Sequence, residues 1–357
     1  MHLTDIPLHR LHNQHLASSP LESPEAVVNW LIAVQSQDFA GAKWALGLRV
    51  SGFNDEQVEQ AFTDGRILRT HLLRPTWHFI TPADIRWLLA LTAPRVHTAN
   101  AHMYRKMELD AATFALSERE MVKALQGGKQ LTRDDLRAVL ERVGIPTKYE
   151  QRMVYLLMHA ELEGVICSGP RLGKQFSYML LDERVPATPA REPDDALVEL
   201  TRRYLYSHGP ATVQDFAKWS GLTLTDCRRG FEAVKQEFQV EEVEGQVYVF
   251  PDASPNKITS PRVDLLSIYD EMVSGYKDHA PIGGRLYEAE LTGLGNPLYY
   301  FFLIDGQIAG SWRRTLKKKE VLIELNPFRP LMVEEEQAIY TAAQRYGSFL
   351  GLAARPG

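Results

Sequence analysis

Hydrophobic and polar positions alternate in a way that predicts helices for most of the chain and strands near its end. Ser23-Pro24 reads as an N-cap followed by proline at the first helical position, and Val27, Leu31 and Val34 recur at helical spacing, so this helix is expected to run to about Gln35. A short second helix is expected over residues 41–49. A third should start at Asn54, whose side chain can cap while Gln57 reaches back, and stop at Gly65. Two β-like runs, residues 67–70 and Thr76–Ile80, flank Arg74-Pro75 and predict a hairpin. Thr81-Pro82 with Asp84 then opens a helix through Trp87, Leu88 and Leu91.

The same order recurs twice. A helix over residues 117–125 is broken by Gly127-Gly128, and Thr132 to Asp135 is a capping box opening residues 136–143. After the turn Gly144-Ile145-Pro146, residues 149–162 form an amphipathic helix with Met153, Leu156 and Leu157 inward, and strands 165–167 and 176–181 follow. Beyond the proline-rich stretch 185–193, three helices (197–207, 212–219 and 223–238) precede a hairpin over 240–243 and 246–250. From about residue 264 the pattern turns to strands at 285–291, 298–304, 307–311 and 320–325, with Asp305-Gly306 as a hairpin turn, and then a helix over 333–346. The expected fold is α+β, with three tandem winged helix-turn-helix units (residues 1–110, 111–190 and 191–255) followed by a small C-terminal β-barrel (256–357).

Composition narrows the function classes. At 357 residues, 45% hydrophobic and 24% charged, the chain is globular and not disordered. No apolar run approaches the roughly 18 residues of a membrane helix, and the N-terminus lacks a signal-peptide pattern, so a cytoplasmic protein without a membrane partner is expected. Cys167 and Cys227 lie far apart, and His2, His9, His12 and His15 lack matching carboxylates; no metal or other cofactor is expected. Walker A, G-x-G-x-x-G, H-E-x-x-H and G-x-S-x-G signatures are all missing. The net charge of −5 sits in one segment: residues 191–255 hold 7 basic and 12 acidic residues, while the rest is balanced.

The segment Gln35-Ser36-Gln37-Asp38 stands out. On a helix its two amides point apart and read as solvated polar groups at a helix end; in an extended stretch they share one face. Together with Trp44-Ala45-Leu46-Gly47-Leu48-Arg49, it resembles the Gln-x-Gln segment of the AlkZ-like, YcaQ-related family of bacterial DNA glycosylases. Four further stretches resemble that family in register. They are Leu73-Arg74-Pro75-Thr76-Trp77-His78-Phe79-Ile80, Gly209-Pro210-Ala211-Thr212 with residues 215–221, Leu265 to Asp270 with Gly275 to His279, and Ile304-Asp305-Gly306 with Gly310 to Arg314. Ser36 stands where an apolar residue is common in the family, and His279 where an arginine is common.

The resemblance implies tandem winged helices, a C-terminal barrel and a monofunctional DNA glycosylase. Its substrate would be an alkylated purine in double-stranded DNA, already cationic at N7 or N3 and therefore a good leaving group. The remaining task is to position a water at the anomeric carbon and stabilise an oxocarbenium-like transition state. A glutamine amide oxygen can orient such a water without taking a full proton. Gln37 is the expected water-positioning residue, Gln35 its partner and Asp38 the nearby carboxylate. Phosphate contacts are expected from Arg66, Arg69, Arg74, Lys148, Arg152, Arg171, Lys174, Arg313, Arg314 and Lys317. Thr76, His78, Tyr269, Asp270 and Trp312 are candidates for supporting the site from behind. The acidic segment 191–255, with Glu241, Glu242 and Glu244, is expected to stay off the DNA, and the protein is expected to be a monomer. The competing readings are a non-enzymatic winged-helix transcriptional regulator and an inactive family member.

Overall fold

Local chemistry sets most of the element boundaries. Ser23 Oγ accepts from the Ala26 N–H at 3.2 Å and caps the helix Pro24–Leu31, whose first turn takes the proline. Asn54 and Gln57 accept from each other's backbone N–H at 2.9 Å, opening the helix Asp55–Thr63. Thr132 and Asp135 form the expected capping box on Arg133–Arg142. Asp305 (φ 50°) and Gly306 (φ 80°) both take the left-handed backbone that a two-residue hairpin turn requires. The computed structural model describes residues 1–255, 257–293 and 299–357. Two compact units emerge: Met1–Glu59 with Val198–Trp219 and Thr223–Gly357, and Gln60–Leu197 with Ser220–Leu222.

In the first unit, Pro24–Leu31 ends earlier than its apolar spacing predicts. Ile32 leaves the helix at φ 72°, ψ −54°, a conformation a β-branched residue rarely takes, and Ala33–Gln35 is extended. Val34 therefore belongs to a strand, and the helix stops well short of Gln35. The helix Phe39–Gly47 follows. Further along this unit lie the helix Leu224–Val234 and the hairpin Gln239–Val243 with Gln246–Phe250, on which Glu241, Glu242 and Glu244 are exposed.

The C-terminal part of this unit is a sheet in the order Val263–Leu265, Phe301–Ile304, Gln307–Leu316, Glu320–Pro327, Ala353–Pro356. The first four strands are antiparallel, and the last runs parallel to its neighbour after the helix Val333–Leu350. Among the described residues this is a curled half-barrel, open between its first and last strands, where a small barrel was expected. Residues 285–291 do not form the expected strand; Glu288–Gly293 is a helix, in keeping with its Glu, Ala and Leu residues. Of the expected strand 298–304, Leu298 lies outside the described residues, and pairing starts at Phe301. Trp44, Trp312, Tyr346 and Phe349 fill the core beside this sheet, with Tyr346 4.9 Å from Trp44 and 5.2 Å from Trp312 between ring centres. Trp44 Nε1 donates to the Leu265 carbonyl at 2.7 Å and Trp312 Nε1 to that of Leu266 at 2.8 Å. Both donors would be costly to bury unpaired, so these bonds fix where the chain leaves the strand Val263–Leu265.

The second unit carries the hairpin Leu68–Leu72 with Thr76–Ile80 and the long helix Ile85–Lys106. Helices Ala111–Leu125, Arg133–Arg142 and Glu150–Leu162 enclose Met121, Leu125, Leu136, Leu140, Met153 and Leu156. The strands Ile166–Ser168 and Ser177–Leu180 pair with each other, and Leu131–Thr132 adds to the latter. The helix, helix, helix, hairpin order expected for residues 111–190 is present. Among the described residues, no helix is long and apolar enough to cross a membrane.

Candidate active site

The Gln-Ser-Gln segment is held from its backbone. The Gln35 N–H donates to Glu271 Oε1 at 3.1 Å, and Glu271 is fully buried. Its other oxygen accepts from Trp219 Nε1 at 2.9 Å and lies 3.4 Å from His208 Nε2. Burying a carboxyl group this deeply is costly unless both its oxygens find hydrogen-bond partners. Ile32 and Tyr269, both at positive φ (72° and 64°), flank the two segments that this bond joins. Strained backbone of this kind persists only where the surroundings over-determine it, and it clusters at functional sites.

The segment's own side chains divide. Gln35 is 7% exposed and Ser36 is buried, whereas Gln37 is exposed. Asp38, half-buried at φ −94°, ψ 104°, is the N-cap of Phe39–Gly47, its Oδ1 accepting from the Gly41 N–H at 2.5 Å. Its carboxylate faces Tyr300, whose phenol is raised to about 12, chiefly by burial and further by Asp38, with Arg314 opposing. Arg314 stands with Cζ 5.0 Å from the centre of the Tyr300 ring and 5.8 Å from that of Tyr346. Its Nη1 is buried without a hydrogen-bond partner among the described residues. Along the strand Gln307–Leu316, Arg314 shares a face with buried Trp312, while Arg313 points the other way, is exposed and donates to the Tyr299 hydroxyl at 3.2 Å.

Behind this segment lies a buried polar network. Arg49, fully buried, makes a bidentate pair with Asp270 at 2.8 and 2.9 Å. It also donates to the Gln14 and Ala45 carbonyls and to Gln14 Oε1, so all five of its N–H groups are used. Asp270 caps Glu271–Ser274 through the Met272 N–H at 2.9 Å. The Gln14 amide donates to the Tyr276 hydroxyl at 2.9 Å, which in turn donates to the His208 carbonyl at 2.7 Å. Glu271, His208 and Gln14 were not singled out from the sequence, and Arg49 and Trp219 entered only within the family-like stretches, because no local pattern marks a partner that lies 236 residues away, as Glu271 does from Gln35.

Burial lowers the His208 pKa, against the raising effect of Glu271. A histidine kept neutral by folding contributes stability that is fully present above its unfolded pKa, about 6.5, and is lost as the pH falls through the folded value. The urea midpoint is therefore expected to fall between pH 7.5 and pH 5.5; a midpoint that stays level or rises over that interval would contradict this.

Several expected contacts change character. Arg69 is 7% exposed, between the rings of Trp77 (4.3 Å) and Phe176 (4.4 Å), and burial lowers its pKa to about 10. It is part of the second unit's core and is not an open phosphate contact. Arg152 is 9% exposed, with Nη1 donating to the Met107 carbonyl. His78 and Trp312 are core residues. Thr76 is half-buried and Arg74 lies 3.4 Å from His78 Nε2. Arg66, Lys148, Lys174, Arg313 and Lys317 are exposed, and Arg171 is half-buried over the Phe176 ring at 5.4 Å. Arg66 is 3.4 Å from Asp64 and Lys317 3.0 Å from Glu320, both weak surface pairs.

The order of these segments along the whole chain has a counterpart among known proteins. Residues 28–349 match the family model described as DNA glycosylase AlkZ-like. The chain belongs to the AlkZ-like DNA glycosylase family. It is 25% identical over 358 residues to an interstrand DNA cross-link repair glycosylase of Streptomyces sahachiroi, spanning 93% of this chain and 94% of that protein. The solved structure of the Streptomyces sahachiroi DNA glycosylase AlkZ has the same fold, with a TM-score of 0.82 over 100% of both chains at 21% identity. Family membership makes the protein a DNA glycosylase, a hydrolase of N-glycosidic bonds, and sets the regulator reading aside.

Proposed function

We propose that this glycosylase releases purines alkylated at N7 or N3 from double-stranded DNA and leaves an abasic site. Gln37 positions the attacking water, Gln35 supports it, and Asp38 contributes negative charge near the anomeric carbon. The observation that carries this reading is the clamp on the Gln35 N–H by buried Glu271, two residues before exposed Gln37. The exposed residue is an amide, which orients water but cannot protonate a leaving group, so the chemistry suits a base that leaves as a neutral species from a cationic nucleotide. Asp38 is engaged as a helix cap and does not replace that missing acid. The relative named for interstrand cross-link repair supports extending the substrate to crosslinks made through two alkylated purines, each of which is the same kind of leaving group. The helix and hairpin orders in residues 1–110, 111–190 and 191–255 support reading them as three winged-helix units before the C-terminal sheet segment, 256–357.

The test is a duplex carrying a single 7-methylguanine and a second carrying a crosslink between N7 positions. Free 7-methylguanine is expected from the first duplex, and from the second, separation of the strands on the first cut with the purine still tethered to the opposite strand, then free linked purines on the second cut; in both, strand scission appears only after alkali treatment. Release from neither duplex would sink the proposal, and equally fast release of an uncharged base such as uracil would sink its reliance on a cationic leaving group.

Phosphate contacts are assigned to the exposed cations Lys148, Lys174, Arg313 and Lys317 and to half-buried Arg171. Each neutralised phosphate contributes about 0.9 to the slope of log K against log salt. Lys148→Ala with Lys174→Ala should therefore weaken DNA binding and flatten that slope by about 1.8, measured by fluorescence anisotropy from low to moderate salt. An unchanged slope would remove both residues from the interface.

A further inference from the structure

A cluster in the second unit has the makings of a metal site. His97 stands on the helix Ile85–Lys106; His159 lies on Glu150–Leu162 and Glu163 at its C-terminal cap, four residues apart and so on one face. One donor atom of each of the three lies within 4.8 Å of the other two.

The other ring nitrogens are already engaged. His159 Nδ1 is 2.7 Å from Glu118 Oε1 on Ala111–Leu125, and His97 Nδ1 is 2.9 Å from the Tyr104 hydroxyl. A carboxylate behind one imidazole nitrogen holds the proton there and presents the lone pair on the other, the arrangement found behind metal-bound histidines. Nε2 of each ring is thus the atom left for a ligand. His97 Nε2 lies 2.9 Å from Glu163 Oε1, so this ring nitrogen and the carboxylate already face one another. Stacking of His159 on Phe114, 3.7 Å between centres at 13°, fixes the ring plane. A cavity of about 360 Å³, lined by His97, Glu163, Arg86, Leu89, Pro94 and Leu181 among others, opens at the cluster and has room for a water ligand.

We propose that His97, His159 and Glu163 bind one Zn²⁺ ion, with water as the fourth ligand, and that the ion ties Ile85–Lys106 to Glu150–Leu162. Two imidazoles and one carboxylate are a borderline donor set of the kind zinc takes in four-coordinate sites at about 2.0–2.2 Å. Glu163, 48% exposed, has the freedom to close onto the ion, while the two histidines are already placed by Glu118, Tyr104 and Phe114. The ion would join helices whose ligands are far apart in sequence, so its effect would appear in stability and not in the glycosidic bond chemistry.

The test uses the full chain stripped with a chelator and titrated with ZnCl2. Calorimetry should show one tight site per chain, and zinc should raise the melting temperature by several degrees. His159→Gln should abolish both signals and Glu163→Gln should weaken them, with circular dichroism confirming the fold. His9→Gln with His12→Gln should leave both signals intact. No zinc-dependent rise in the parent protein would overturn the proposal. So would an undiminished rise in Glu163→Gln, whose exposed side chain can change without loss of the fold, or loss of the signals in the N-terminal double variant.

Discussion

Gln37→Ala is expected to lower the rate of base release by on the order of 10²–10³-fold while leaving the melting temperature unchanged. Removing one preorganised hydrogen-bonding group aimed at a reacting centre typically has this effect on kcat. Gln37 is exposed, whereas the segment is anchored by the Gln35 N–H on Glu271 and by the Asp38 cap, neither of which uses the Gln37 side chain. Loss of rate should therefore come without loss of fold. Single-turnover release from a 7-methylguanine duplex measures the chemical step, and binding measured separately shows that the DNA is still held. Gln37→Glu keeps an acceptor for the water and should retain more activity than the alanine variant. A Gln37→Ala protein as fast as the parent would remove this residue from the chemistry and leave Asp38 or Gln35 to be tested next.

Asp270→Ala is expected to destabilise the protein by about 3–5 kcal/mol, the usual cost of leaving a buried ion without its partner. Both members of the Arg49–Asp270 pair are fully buried. Removing Asp270 leaves the Arg49 guanidinium with only the Gln14 and Ala45 oxygens, and also strips the cap from Glu271–Ser274. Because Glu271 begins that helix and holds Gln35, base release should fall as well. Arg49→Lys should also be poorly tolerated, since one ammonium cannot reproduce five donors in a planar fork. Urea denaturation measures the free-energy change directly; a loss below about 1 kcal/mol would mean that water relieves the stranded charge and that the pair does not anchor this region.

The candidate site was legible in the sequence only along one strand of its logic. Gln35, Gln37 and Asp38 are adjacent, and the mixture of amides and carboxylate before a helix start is visible by inspection. The cationic residues were visible as residues but not as surfaces. Arg313 and Arg314 are neighbours in sequence, yet one is exposed and the other packs over Tyr300 and Tyr346, because strand positions alternate between faces. Arg69 and Arg74 bracket the same hairpin, yet Arg69 is sandwiched between two aromatic rings. Charge alone does not say which arginines a core will enclose, since a guanidinium can stack on an aromatic face as well as pair with phosphate.

What the sequence by itself determined are the features decided within a few residues: the Ser23, Asn54 and Thr132 caps, the Asp305-Gly306 turn, the hairpins, and the terminal helix. Their energies come from side chains bonding to backbone groups at neighbouring positions, so spacing suffices to read them. Tertiary structure alone decided the rest. It ended Pro24–Leu31 at Ile32 despite an apolar spacing that ran on to Val34, and left the C-terminal sheet open. It also brought Glu271 to the Gln35 N–H and Asp270 to Arg49 across more than 200 residues of chain. Such pairings depend on which polar groups are buried together once the core forms, and an unpaired buried charge or donor costs more than the local preferences it overrides.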